Sequence, residues 1–168
     1  GVSDMTLIER WNYHNELGVQ FPIAPIRVVY SKAGTLPAAA IVEDTRAAID
    51  HKLYWTSVTT REEGLYLAAV LSSETARKKV ETLQSRGQWG ARDFDKVMFT
   101  LPIPRFDPKN PLHGELAVAG AEAEKTAAKV DISDGMHFQT ARRRVREALA
   151  ESGVAARIDQ LVGRLLGA

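Results

Sequence analysis

Arg92-Asp-Phe-Asp-Lys-Val-Met-Phe-Thr-Leu-Pro-Ile-Pro-Arg-Phe-Asp-Pro-Lys-Asn-Pro-Leu-His113 divides the chain into two compositions. Before it lie β-branched and aromatic runs with two short helical patterns. After it the sequence turns helical and alanine-rich. Four of the seven prolines fall between Pro102 and Pro111. Each fixes φ and removes a backbone donor, so the stretch is neither helix nor central strand throughout. The reading is a strand, Lys96 to Leu101, that runs out into a stiff extended connector.

Working back from it, Ile26 to Tyr30, Ala38 to Val42 and Leu53 to Val58 have strand composition. Ala47 to Asp50 reads as a short returning strand. Ser31-Lys32-Ala33-Gly34-Thr35 is a turn, with a glycine able to take positive φ. At the start, Asp4 stands where a cap would, and Met5, Ile8 and Trp11 share one side of a short helix. Thr59 with Glu62, or Thr60 with Glu63, offers a capping box for a helix carrying Leu65, Leu67, Ala68 and Leu71. Ser72 and Ser73 open a second helix, Glu74 to about Arg86, and Gly87-Gln88-Trp89-Gly90 closes it.

Working forward, Leu112, Leu116, Ala119 and Ala123 mark a helix reaching about Val130. Asp131 to Gly135 breaks it. Phe138, Ala141, Val145, Ala148 and Leu149 line the next helix. After Gly153, a stripe of Val154, Ile158, Leu161, Val162, Leu165 and Leu166 defines the last one. The expected fold is therefore α+β: a small mixed or antiparallel sheet flanked by a helix pair, followed by a helical C-terminal segment. The expected division is residues 1–113 and 114–168.

Composition narrows the chemistry. The chain of 168 residues has a formal net charge of +1, so its overall charge does not by itself announce a nucleic-acid binder. It has no cysteine, which excludes disulfides, thiolate zinc sites and cysteine nucleophiles. No apolar run is long enough to span a membrane, so no membrane partner is expected. No phosphate-binding glycine loop is present, and the four histidines lack metal-ligand spacing, so no metal site is assigned. Asp50-His51-Lys52 matches the Asp-x-Lys half of a nuclease site, with Asp44 or Glu43 as the available upstream acid. The abrupt start is compatible with a fragment of a longer protein.

Three places suit nucleic acid. Arg86, Gln88, Trp89 and Arg92, with Lys96 beyond, combine cations, an amide and an aromatic around two glycines. Gln and Arg are residue types that read base edges; the competing reading is a helix end on which Trp89 packs. Ser31 and Lys32 present a hydroxyl and an ammonium at a turn, suited to a phosphate or to an ordinary hairpin. Arg142, Arg143, Arg144 and Arg146 are either a solvated helix or a phosphate-facing one.

The order of phrases carries a resemblance. Glu9 to Leu17 with Gln20, then Val28 to Thr35, is similar to the region after the catalytic domain of bacterial adenine-N6 DNA methyltransferases of restriction-modification and phage-defence systems. Leu53-Tyr54-Trp55 and Glu63 to Ser73 resemble the helical phrase of their target recognition domains, found also in TaqI-like specificity domains. Arg92 to Lys96 with Leu101 to Pro104 and Asn110 to His113 resembles the phrase that closes that domain, and Ile158 to Val162 with Leu165 to Gly167 the C-terminal one. Glu16 stands where the family often has lysine, and Gly64 and Ser72 where it has alanine and asparagine.

The family's Asn/Asp-Pro-Pro-Tyr/Phe motif and its glycine-rich S-adenosylmethionine loop are absent from these residues. The resemblance therefore implies a non-catalytic, cytoplasmic, DNA-recognising part. It binds double-stranded DNA, and S-adenosylmethionine belongs to a separate catalytic domain of the same chain. The DNA contacts are expected at Ser31, Lys32, Arg86, Gln88, Trp89, Arg92 and Lys96. The alternative is an interaction module that docks a partner through the C-terminal helices.

Overall fold

A computed structural model describes residues 5–32, 38–83, 85–87, 90–93 and 95–167, without the side chains of residues 82, 85–87, 90–93, 95, 96 and 99. The fold is α+β. Strand β1 (Arg27–Ser31) is central, with β2 (Ala39–Val42) and β3 (Leu53–Ser57) antiparallel on either side. Tyr30 stands opposite both Ala39 and Tyr54, and Val29 opposite Trp55. Side chains alternate across a strand. Val28 and Tyr30 thus face the helices and enter the core, while Arg27 and Val29 are buried on the other side.

That second side is closed by side chains acting on backbone. The Arg27 guanidinium donates to the carbonyls of Ala47 and Asp44, both at 2.7 Å. The Gln20 amide holds Ile49 twice, accepting from its N–H at 2.7 Å and donating to its carbonyl at 2.8 Å. These bonds correct one expectation. Ala47 to Asp50 is not a strand, because these backbone groups are satisfied by Arg27 and Gln20 instead of by a ladder.

Helix α1 (Leu7–Trp11) is five residues long and buries nothing. Its cap is Thr6, in a complete capping box with Glu9. Helix α2 (Arg61–Ser72) is capped by Thr60, which accepts from the Glu63 N–H, while the Glu63 carboxylate accepts from the N–H and hydroxyl of Thr59. Ser73 ends α2 and caps α3 (Glu74–Val80), so two helices follow with no loop between them.

The expected continuation of α3 to Arg86 does not occur. A 3-10 turn at Glu81–Leu83 leads into an antiparallel ribbon of β4 (Ser85–Gly87) and β5 (Gly90–Asp93). Thr82 and Ser85 are weak helix formers, which favours this exit. The expected strand at Lys96 to Leu101 is replaced by a 3-10 helix at Asp95–Thr100. Met98 is buried, and Val97 and Leu101 pack on the same core. Positions 97, 98 and 101 follow a helical period and not the alternation of a strand.

The proline connector is extended and pinned at two points. The Tyr66 hydroxyl donates to the Pro104 carbonyl at 2.9 Å, and the Asp107 N–H donates to His113 Nδ1 at 3.0 Å. Tyr66, Phe106 and buried His113 stack as a cluster. Asn110 then caps α4 (Pro111–Ala127), with proline at its first turn.

Helix α4 lies against α2 at close range. A Cβ on Gly120 would fall 2.5 Å from the Leu65 carbonyl oxygen. Helices α5 (Phe138–Glu151) and α6 (Val154–Leu166) form an antiparallel pair turned by Gly153, whose φ of 76° favours glycine. Val154, Ile158, Leu161 and Val162 are buried in the cluster that holds Val28, Tyr30, Tyr66 and Leu116. Residues on both sides of position 113 therefore share one core. The C-terminal stripe of Val154, Ile158, Leu161 and Val162 is covered by this chain. Asp159 accepts from the Thr75 N–H at 3.0 Å and ties α6 to the start of α3. No helix among the described residues is long and apolar enough to cross a membrane.

Candidate nucleic-acid interface

The expected contact residues fall into two groups in different sheets. Ser31 is the last residue of β1, opposite Leu53. Lys32 follows it; its N–H donates to the Lys52 carbonyl at 3.2 Å, which sets the turn beside the start of β3. Both are half-buried. The Lys32 ammonium sits 4.4 Å from the centroid of the Tyr54 ring, a cation–π contact that orients the charge at the sheet end. Residues 33–37 lie outside the described residues.

The second group is on the ribbon. Arg86 lies in β4 opposite Ala91, and Arg92 lies in β5. Gly87 pairs with Gly90, so residues 88 and 89 join the strands. Gln88 and Trp89 themselves lie outside the described residues, as do the side chains of Arg86, Arg92 and Lys96. The backbone at Lys96 belongs to the 3-10 helix after the ribbon. The sequence placed these residues on a helix end and its loop; the structure puts Arg86 and Arg92 on paired strands.

Ion pairing sorts the remaining cations. Arg61 bridges Glu43 at 3.3 Å and Glu124 at 2.7 Å, joining the loop after β2 to α2 and α4. The hydrogen bond that Arg61 donates to the Glu124 carboxylate raises the Arg61 pKa. Arg77 is held between Glu74 and Glu81, and its guanidinium lowers the Glu74 pKa. Arg157 pairs with Glu122 and Arg164 with Glu115 across α6 and α4. These arginines are committed to the fold. Arg61, Arg157 and Arg164 are nonetheless exposed, as are Lys52, Lys78, Lys79, Arg105, Lys109 and Arg146.

Helix α5 buries no residue. Arg143 is within 3.7 Å of Glu147, and Arg144 donates to the Asp131 carbonyl at 3.2 Å. Arg143 and Arg146 are three positions apart and lie on the side away from half-buried Ala141, Val145 and Ala148. Part of the four-arginine run is therefore a solvated face.

The Asp50-x-Lys52 pattern sits in the turn before β3 and is used structurally. Asp50 Oδ1 accepts from the Lys52 N–H at 2.9 Å, and Oδ2 lies 3.4 Å from His51 Nδ1. Asp44 pairs with Arg46, whose guanidinium lowers the Asp44 pKa, and Glu43 pairs with Arg61. No group of three His, Asp or Glu among the described residues is placed to hold a metal ion.

Beside Lys32 lies an open cleft of about 200 Å³, walled by Val19, Gln20, Ile49, Leu53 and Trp55. Sequence reading did not find it. The available signal was Trp55 in a strand, where alternation from Tyr54 sends it to the side away from the helices. No family model, curated protein or solved structure matches this chain.

Proposed function

We propose that this chain is a DNA target recognition part of an adenine-specific DNA methyltransferase. The β4–β5 ribbon is the observation that carries the reading. Arg86 lies on one of its strands and Arg92 on the other, with glutamine and tryptophan between them in sequence. The major groove of B-DNA admits a two-stranded ribbon, arginines suit its phosphate borders, and Gln is a residue type that pairs with adenine edges. The ordered phrases of the sequence support the same reading.

In this mechanism the chain does no covalent chemistry. Lys32, Arg86, Arg92 and Lys96 neutralise phosphates and set the register, Ser31 donates to a phosphate oxygen, and Gln88 and Trp89 read bases. The target adenine leaves the stack for a catalytic domain of the same chain, where S-adenosylmethionine supplies the methyl group. The setting is cytoplasmic.

Fluorescence anisotropy with a labelled mixed-sequence duplex over a salt series tests this. The expected result is binding that weakens steeply with salt. Arg86→Ala with Arg92→Ala should reduce the slope of log K against log salt by roughly 2, since each lost phosphate contact removes about 0.9. A folded chain that binds no duplex at low salt overturns the proposal.

A further inference from the structure

The outer strand of a sheet carries a row of main-chain groups turned away from its neighbour, and this fold treats its two outer strands differently. The Lys32 N–H donates to the Lys52 carbonyl at 3.2 Å, and the Val58 N–H to the Ile26 carbonyl at 3.1 Å. Together with the register of β1 and β3, these bonds fix which residues turn their main chain towards β1: Lys52, Tyr54, Thr56 and Val58. Leu53, Trp55 and Ser57 turn theirs outwards. The Leu53 N–H is taken by the Asp50 carbonyl at 3.0 Å, and the Ser57 carbonyl accepts weakly from the Thr56 hydroxyl at 3.4 Å. The Leu53 carbonyl, both main-chain groups of Trp55 and the Ser57 N–H meet no partner among the described residues.

The opposite edge is closed. By the same alternation Ala39 and Ile41 turn outwards in β2. The Ala39 N–H donates to Ser72 Oγ at 3.0 Å, and a Cβ on Gly64 would fall 3.2 Å from the Ile41 side chain, so α2 lies over that strand. Strand β3 has no such cover. Its sequence, Leu-Tyr-Trp-Thr-Ser, holds neither charge nor proline, and its pairing with β1 has no bulge. The devices that usually blunt an edge are missing from it.

From this we infer that the outer edge of β3 is a docking site for an extended segment of another polypeptide, which adds to the sheet as a fourth strand. Main-chain chemistry selects a strand. The outward groups recur at every second residue, roughly 7 Å apart, which is the repeat of an extended backbone. Half-buried Trp55 selects the residue that faces it, since an indole pairs best across strands with an aromatic or β-branched side chain. Area argues against a second copy of this chain. Five residues of strand, at roughly 3.4 Å each and a sheet spacing of roughly 10 Å, give a strip of about 170 Å². Two copies joined by it would bury about 340 Å², far short of the roughly 1,200 Å² of a stable interface. Leu53, Trp55 and Ser57 are not among the residues given to DNA above, so the inference stands apart from that reading.

Panning a displayed library of random heptapeptides against the folded chain, then fluorescence polarisation with the synthetic winners, tests the proposal. The expected result is a family of peptides with aromatic or β-branched residues at alternate positions. Ser57→Pro removes an outward N–H from an exposed position and leaves the bonds to β1 in place. Its Tm should hold while peptide affinity falls at least about tenfold. On the unaltered chain, N-methylating alternate peptide amides should abolish binding in one phase and spare it in the other, because only every second amide faces β3. That readout decides the matter whatever the variant does. No enriched family, or binding indifferent to N-methylation in both phases, overturns the proposal. So does light scattering that shows a dimer which Ser57→Pro dissociates, since the edge then holds a second copy.

Discussion

The first helix and the last carry the same kind of face and dispose of it differently. In α6, Val154, Ile158, Leu161 and Val162 are buried against α3, α4 and the rest of the core. In α1 and the segment after it, Ile8, Trp11 and Phe21 stay in solvent. Burying four aliphatic side chains contributes roughly 6–12 kcal/mol before entropy is counted. The apolar side chains left in solvent at the N-terminus contribute almost nothing to this chain's own stability. Amphipathic spacing says that a face needs cover; it does not say which molecule supplies it.

The comparison can be broken most severely at α6. Leu161→Asp places an unpaired carboxylate in the core and should cost at least about 4 kcal/mol, which thermal melting would register as loss of the folded state. If the variant melted like the parent, the C-terminal pair would not belong to the core. Gly120→Ala comes next. Its methyl meets the Leu65 carbonyl oxygen at 2.5 Å, so α2 and α4 must separate. Overpacking of this kind costs about 1–3 kcal/mol, readable as a lowered urea midpoint.

Tyr66→Phe probes the connector that joins the two compositions. Loss of the bond to the Pro104 carbonyl should cost about 1 kcal/mol at neutral pH. Its pH dependence has a definite sign. Burial pushes the Tyr66 phenol from 10.0 up to about 12. The folded state therefore holds the proton more tightly than the unfolded one. That contribution is complete below pH 10 and is lost as pH rises towards 12. Denaturation followed across this window should show the phenylalanine variant falling less steeply than the parent. Ile8→Asp should have the smallest effect, within about 0.5 kcal/mol on the dilute chain, because the side chain is 72% exposed.

Much of this architecture was legible in the residues. The run Val28-Val29-Tyr30, the Thr60 and Ser73 caps and the α6 stripe are local signals, and the structure uses each one. The misreadings share a cause. Gly87 and Gly90 read as a helix end in the sequence, but glycine serves helix ends and hairpin turns alike, and only pairing with a second strand decides between them. Val97, Met98 and Leu101 fit a strand by composition and a helical turn by position. Nothing local marks Arg27 as an arginine to be buried under two carbonyls, or His113 as the acceptor that pins the connector. The placement of Lys32 on the Tyr54 ring depends on register between β1 and β3. The cleft at Trp55 depends on the N-terminal segment folding over the sheet.

Selection from a pool of randomised duplexes is the most direct test of target recognition. The folded chain should enrich one short sequence, and Gln88→Ala should abolish that enrichment while leaving the melting curve in place. Recovery of an unenriched pool by a folded chain would contradict the account.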